Sequence, residues 1–385
     1  MSEFVQRTSF LQSIRQGLEE FPVVALLGAR QVGKTTLSRQ LTTLWKEPTT
    51  LFDLERRTDR VALTSTPELL LNNSTGLIIV DEIQRQPELF TILRPICDDP
   101  NRQARFLLLG SASPDLIQGV SETLAGRIRF IEVSGFSLDE IGEDNQNRLW
   151  FRGGFPRSYL SEDDGAARRW LEAFTRTYLE RDILAIDPRV SPTLVDRFWR
   201  MLAHRHACSW NASEIGGSLG VGTREVNRFR DLLLGSFMIR SLPAWYENIG
   251  KRLIKSPKIY LRDSGILHFL LGLSTFSDLS THPSFGASWE GFALEQLLVA
   301  HGERDAYYYR TQRGTELDLL LLRKGKRWGF EFKCSDAPRT TKAMQVAIND
   351  LNLEHLWVVY PGTQSFPLTE SITALPLRDC SRLHF

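Results

Sequence analysis

The stretch Gly28-Ala29-Arg30-Gln31-Val32-Gly33-Lys34-Thr35, followed by Thr36, decides the reading of this sequence. It has the form G-x-x-x-x-G-K-[ST]. The apolar run Val23 to Leu27 before it reads as a buried strand, and Thr36 to Trp45 after it reads as a helix. A strand, a glycine loop and a helix are the context a phosphate loop requires. The glycines let the backbone curl until several N–H groups face one point, and the helix N-terminus adds partial positive charge there. Lys34 is expected to reach the β- and γ-phosphates of a nucleotide, and the Thr35 hydroxyl to ligate Mg²⁺. The bland alternative, a glycine turn between strand and helix, leaves the Lys-Thr pair unexplained.

Downstream, Leu77 to Val80 forms an apolar run that ends in Asp81 and Glu82. A strand buried on both faces reads as such a run. Asp81, at its C-terminal end, is placed to hold the Mg²⁺ through water, and Glu82 to orient and activate the attacking water. Phosphoryl transfer is mostly positioning and charge stabilisation, so a metal, a lysine and a water-orienting carboxylate are a minimal set. Phe106 to Gly110 is a further buried strand ending at Ser111. That hydroxyl could bond the γ-phosphate or the water, or be a turn residue. Ile128 to Val133 closes the sheet. Before it, Ser121 to Arg127 ends a helix, and Arg127 or Arg129 could reach a neighbouring subunit's nucleotide as an arginine finger. A surface arginine favoured by the helix dipole is the alternative. Phe10 to Leu18 and Thr66 to Leu71 read as helices, and Leu51 to Asp53 as a strand.

Gly28-x-Arg-Gln-Val-Gly-Lys-Thr-Thr36, Val80-Asp-Glu-Ile-Gln84, Leu108-Leu-Gly-Ser-Ala-Ser113 and Leu124-Ala-Gly-Arg127, in this order, resemble a prokaryotic AAA-type ATPase family whose C-terminal domain has a nuclease-like core. The resemblance implies a P-loop sheet with strand order 5-1-4-3-2. Ser111 departs from the Asn that many AAA ATPases carry at this position.

The chain has 385 residues, enough for roughly two to four domains. The organisation expected is an ATPase domain over 1–148, a helical lid over 149–190, a winged-helix-like domain over 191–285 and a restriction-endonuclease-like α/β domain over 286–385. Net charge is +1, so any basic nucleic-acid surface must be local. Cys97, Cys208, Cys334 and Cys380 form no C-x-x-C pair, which suggests neither a zinc site nor a disulfide framework. No apolar run approaches a membrane span, no signal peptide is expected, and a cytoplasmic setting follows.

Phe151 to Pro156 is a Gly/Pro-bearing turn that opens the lid in the family resembled. Gly165 to Ile183 follows with helical spacing, and its Trp170 and Tyr178 read as core residues. Pro192 to His206 is a helix. Ser213 to Leu219, the turn Gly220 to Gly222 and Thr223 to Leu234 make a helix-turn-helix pattern. Met238 to Leu242 and Lys258 to Leu261 could be the two strands of a wing, with Lys251, Arg252 and Lys255 between them. Arg224, Arg228 and Arg230 are candidate DNA contacts, although such a module also serves protein partners.

From Ser288 onward the pattern is helix (Ser288 to His301), strand (Ala306 to Arg310), strand (from Glu316, after Arg313-Gly314), strand (Trp328 to Lys333), helix (Thr340 to Asn349) and strand (Leu356 to Tyr360). This order, with Asp318 and then Glu331-x-Lys333, resembles the restriction-endonuclease-like fold. Asp318 and Glu331 would share a second Mg²⁺ or a Mn²⁺, with Glu290 a further ligand, preferred to Glu295 for its place in Trp289-Glu290-Gly291-Phe292. Lys333 lies two positions from Glu331, on the same strand face, and could activate water. The whole reads as an ATP-hydrolysing protein that remodels or moves along branched or duplex DNA, as a homo-oligomer such as a hexameric ring. An ATP-gated nuclease and an ATP-driven switch for a protein partner are the rivals.

Overall fold

A computed structural model describes residues 5–112, 123–246, 254–312 and 314–385. Ser121 and Glu122 of the expected helix end, Lys251 and Arg252 of the expected wing, and Arg313 lie outside the described residues. The chain divides into one unit over 1–135 with 235–237, and a second over 136–234 with 238–385.

The first unit is built on five parallel strands, β1 (Val23–Leu27), β2 (Thr49–Asp53), β3 (Gly76–Asp81), β4 (Ala104–Gly110) and β5 (Ile128–Glu132), in the order β2-β3-β4-β1-β5. Read from the β5 edge this is 5-1-4-3-2. Every residue of β1 and β3 is buried, whereas β2 leaves Thr49 to Leu51 exposed at the edge. That difference is why β1 and β3 read as unbroken apolar runs and β2 does not. Leu27 pairs with Gly110, and Asp53 with Asp81. The chain following β1, β3 and β4 therefore emerges at one edge of the sheet. The amphipathic helix Thr8–Glu20 turns Leu11, Ile14 and Leu18 inward, and Glu88–Asp98 turns Leu89, Phe90, Leu93 and Ile96 inward. Each such side chain fully buried contributes about 1.5–3 kcal/mol. The helix expected at Thr66 to Leu71 is Pro67–Asn72, and a further helix, Arg57–Ser65, precedes it.

In the second unit the helix Asp164–Thr177 runs on through a wider turn at Tyr178–Asp182 into Ile183–Ile186. Tyr178 is buried, and Trp170, half-buried, stacks on Phe174. After Pro192–His204 comes Ala212–Leu219, started by the Asn211 side chain, which accepts from Glu214 N at 3.2 Å, and stopped at Gly220, whose φ of +73° is left-handed. Thr223–Gly235 follows. Beside these helices lies an antiparallel sheet, β6 (Cys208–Ser209), β7 (Ile239–Leu242) and β8 (Lys258–Leu261), in the order β6-β8-β7. Sequence patterning shows β7 and β8 but not the two-residue β6.

The chain then enters the buried helix Phe285–His301 and a mixed sheet of β9 (Ala306–Arg310), β10 (Glu316–Arg323), β11 (Lys326–Phe332), β12 (His355–Tyr360), β13 (Phe366–Pro367) and β14 (Ile372–Pro376). The strand order is β13-β14-β12-β11-β10-β9. Strands β9, β10 and β11 pair antiparallel, while β11, β12 and β14 pair parallel. The helix Lys342–Leu351 makes the crossover from β11 to β12, burying Met344, Ala347 and Leu351. Among the described residues no helix is long and apolar enough to cross a membrane.

Candidate active site at the carboxyl edge of the parallel sheet

The loop after β1 is shaped by its glycines. A Cβ on Gly28 would lie 2.2 Å from the carbonyl oxygen of Val133, so no larger residue fits. Gln31 and Gly33 have φ of +64° and +99°, and Arg30 and Val32 are not left-handed. Backbone that alternates in hand turns successive N–H groups into a concavity suited to phosphate. Gly33 is also the residue from which the helix Lys34–Leu44 starts, which adds the positive end of its dipole. The Lys34 ammonium is buried inside this loop and donates to the carbonyls of Gly28 and Ala29 at 2.8 and 2.9 Å. Burial pulls its pKa down to about 8, against the opposing charges of Glu82 and Asp81.

The Thr35 hydroxyl donates to Asp81 Oδ2 at 2.8 Å. Asp81 Oδ1 accepts from the backbone N–H of Glu82 at 2.9 Å, and burial raises the Asp81 carboxyl above its ordinary range. Glu82 itself is left-handed, with φ +59° and ψ 45°. For a non-glycine residue this costs about 1–3 kcal/mol and clusters at functional sites. The turn aims its carboxylate toward the end of β4. There the Gln84 side-chain amide donates to Glu82 Oε2 and, at 2.8 Å, to Ser111 Oγ. Ser111 Oγ lies 3.3 Å from Glu82 Oε2, and its backbone N–H donates to Gln84 Oε1 at 3.3 Å. The structure thus brings Glu82 and Ser111 together, joined by a residue that sequence reasoning passed over. Gln84 stood in the Val80-Asp-Glu-Ile-Gln84 run, but only the left-handed turn at Glu82 shows that it faces back.

Arg30, in the loop, and Arg85 both reach Glu55 Oε1 at 3.1 Å. Arg127 is elsewhere. It precedes β5, whose first residue pairs with Val23, the first residue of β1, and its carbonyl accepts from Val23 N at 3.2 Å. It therefore sits at the opposite end of the sheet from the loop, on the order of 15 Å away at the ~3.3 Å rise of a strand. Its guanidinium makes a two-pronged pair with Asp98, at 2.5 and 3.0 Å. Arg129 reaches Glu20 at 3.5 Å. Neither can touch the loop of its own chain.

A pocket of about 540 Å³ opens along the loop's helix, lined in part by Gln6, Thr36, Arg39 and Gln40. Its size is in the range of nucleoside-sized sites.

The second expected site is assembled differently from expectation. Leu319 pairs with Phe330 across β10 and β11, so Asp318 and Glu331 follow as opposite neighbours, and both are buried. Burial and the Asp318 charge push Glu331 up to about 8. Lys333, just past β11, pairs with Glu331 at 2.8 Å. Glu290 is near, but the Lys258 ammonium stands among the carboxylates, 2.9 Å from Glu290, 2.6 Å from Glu316 and 3.6 Å from Asp318. Tyr260 also donates to Glu290, at 2.7 Å. No group of carboxylates, histidines or cysteines among the described residues is arranged to hold a metal. The expected second Mg²⁺ or Mn²⁺ site at Glu290, Asp318 and Glu331 is therefore not supported: the Lys258 ammonium supplied by β8 faces Glu290 and Asp318, and Lys333 is paired with Glu331. Glu295 belongs to another cluster, where Arg240 donates through Nη2 at 3.0 Å and Arg262 lies 3.4 Å away.

Three family profiles match the chain: an AAA domain over residues 20–142, a domain of unknown function (DUF8612) over 143–277 and a domain of unknown function (DUF4143) over 285–380. Uncharacterized protein Rv2008c of Mycobacterium tuberculosis is 42% identical over 372 residues, covering 97% of this chain and 84% of that protein. Uncharacterized protein Mb2031c of Mycobacterium bovis gives the same values. Among solved structures, the Walker-type ATPase PABY2304 of Pyrococcus abyssi is 17% identical with a TM-score of 0.49, covering 70% of this chain and 96% of that one. The Thermotoga maritima RuvB Holliday junction branch migration motor is 17% identical with a TM-score of 0.31, covering 63% and 92%.

Proposed function

Because the chain belongs to the family of these two mycobacterial proteins and carries the AAA domain of P-loop ATPases, we propose that it binds and hydrolyses ATP at the carboxyl edge of its parallel sheet. The observation that carries this reading is the convergence there of Lys34, the Thr35–Asp81 pair and the Glu82–Gln84–Ser111 group. The loop amides and Lys34 bind the phosphates, and the pocket beside Thr36 takes the nucleoside. Thr35 and Asp81 offer adjacent hard oxygens, a donor set that suits Mg²⁺. Bound with the nucleotide, Mg²⁺ would offset phosphate charge as the reaction proceeds. Glu82 orients the attacking water and accepts its proton, while Gln84 and Ser111 fix the direction of that carboxylate. Arg127, excluded from its own chain's loop, acts on the nucleotide of a neighbouring copy in a homo-oligomer.

Hydrolysis would drive the remodelling of duplex or branched DNA. The helix pair broken at Gly220, followed by antiparallel β7 and β8, supports a winged-helix reading of this region, with exposed Arg224 as the leading phosphate contact. The restriction-endonuclease-like reading of the last domain draws support from its antiparallel β9-β10-β11, its crossover helix and its parallel β12. One observation favours a second reading, a switch that docks a protein. Arg228 is paired with Asp187, and Arg230 with Asp231, so two of the three expected DNA contacts are already neutralised. ATP turnover by the full chain, measured with single-stranded, duplex and four-way-junction DNA, tests the choice. Stimulation by one DNA form, weakened by Arg224→Ala, is expected. Turnover indifferent to every DNA would replace the DNA reading with the switch.

A further inference from the structure

We propose that Lys258 takes the place of a divalent cation in the C-terminal carboxylate cluster, making it a metal-free ionic lock between β8 and the β10–β11 sheet. The Lys258 side chain is 3% exposed, and its ammonium lies 2.9 and 2.6 Å from Glu290 and Glu316. These are lengths of charge-assisted hydrogen bonds. An ion ligating the same oxygens would need the point the ammonium occupies, because Mg²⁺ or Mn²⁺ sits ~2.0–2.3 Å from each ligand oxygen.

Each carboxylate expected to ligate a metal is claimed by a proton donor. Glu290 Oε1 receives Lys258 and the Tyr260 hydroxyl. Asp318 Oδ2 accepts from the backbone N–H of Phe332 at 3.0 Å, and its Oδ1 faces Lys258 at 3.6 Å. Glu331 Oε2 is paired with Lys333 at 2.8 Å. Glu316, which holds Lys258 most closely, is itself 3.4 Å from Arg310.

Lys258 cannot swing away at no cost. It is the first residue of β8, placed opposite Leu242 of β7 and Ser209 of β6, and Lys258 and Tyr260, two apart on one strand, point to the same face. Both are buried and both engage Glu290. Removing one member of a buried ion group leaves its partners uncompensated. The consequence is that the cluster fastens a hairpin strand to a sheet instead of cutting a phosphodiester.

Mn²⁺ binding by the nucleotide-free full chain, followed by electron paramagnetic resonance, tests this. Every protein carries Asp81→Asn to silence the ATPase site. With the cluster otherwise intact, no Mn²⁺ site dependent on Asp318 is expected below about 1 mM. Lys258→Ala should create one, at least roughly tenfold tighter, that Asp318→Asn removes. Two results would overturn the proposal: an Mn²⁺ site with Lys258 in place that Asp318→Asn abolishes, or a folded Lys258→Ala protein that gains no binding. If Lys258→Ala does not fold, the comparison with and without Asp318→Asn in the Lys258 protein decides alone.

Discussion

Gln84 donates to Ser111 Oγ at 2.8 Å and so ties the turn after β3 to the end of β4. The same amide holds Glu82. Gln84 therefore governs where the Glu82 carboxylate points, the group proposed to orient the attacking water. Gln84→Ala should leave ATP affinity within about twofold and lower kcat by roughly tenfold to a hundredfold, the scale of misplacing a group that acts by position. Gln84→Glu, which sets a like charge against Glu82, should be worse than alanine. Unchanged kcat in both variants would assign Gln84 a purely structural role.

The buried Lys34 has a pKa lowered to about 8. Burial favours the neutral amine, whereas a polyanionic nucleotide favours the ammonium. Nucleotide binding above pH 8 must therefore take up a proton, and ATP affinity should fall as pH rises from about 8 toward the ordinary lysine value of 10.5. Calorimetry at pH 9 in buffers of different ionisation enthalpy should show this uptake. Lys34→Arg should show none, because arginine stays charged.

A Cβ added at Gly28 would meet Val133 O at 2.2 Å, and that oxygen is backbone and cannot rotate aside. Gly28→Ala should lower Tm by several degrees and weaken ATP binding by at least about a hundredfold, or ~2.7 kcal/mol. Thermal melts and nucleotide titration check this together. Gly126, with no atom of the described residues beyond its chain neighbours within 4 Å of its Cβ position, has a φ of +75°, so Gly126→Ala should cost only backbone strain of about 1 kcal/mol and leave nucleotide affinity unchanged.

Arg127 stands at the strand end opposite its own loop and is paired with Asp98. A role on a neighbouring nucleotide predicts a specific complementation. Arg127→Ala and Lys34→Ala should each abolish turnover, and mixing them should restore part of it, because some interfaces then combine an intact Arg127 with an intact loop. Asp98→Ala alone should retain turnover. No recovery on mixing, in samples shown to exchange subunits, would remove Arg127 from the mechanism.

The strands that build the active edge were legible because β1, β3 and β4 are almost wholly buried and carry the unbroken apolar runs Val23 to Leu27, Leu77 to Val80 and Phe106 to Leu109. The helix Arg57–Ser65 was not, since it buries Leu63 and little else, leaving no apolar stripe to read. Strands β6 and β13 have two residues each, too short for any alternation. Lys34, Thr35, Asp81 and Glu82 could be singled out because spacing ties them to phosphate chemistry. Gln84 could not, because its direction depends on the left-handed turn at Glu82. Lys258 read only as the first residue of a wing strand. Its partners lie 32 to 60 positions later in the chain, and only the packing of β8 against Phe285–His301 and β10 turns it from a surface charge into a buried one.

The most direct measurement is ATP turnover by the purified full chain beside its Glu82→Gln variant, with ATP binding measured on both. Wild-type protein should hydrolyse ATP. Glu82→Gln should bind ATP with similar affinity and turn over at least a hundredfold more slowly, and Lys34→Ala should fail to bind. Equal turnover by the wild type and Glu82→Gln would contradict the assignment of Glu82, and ATP binding without hydrolysis by the wild type would contradict the account of this chain as an ATPase.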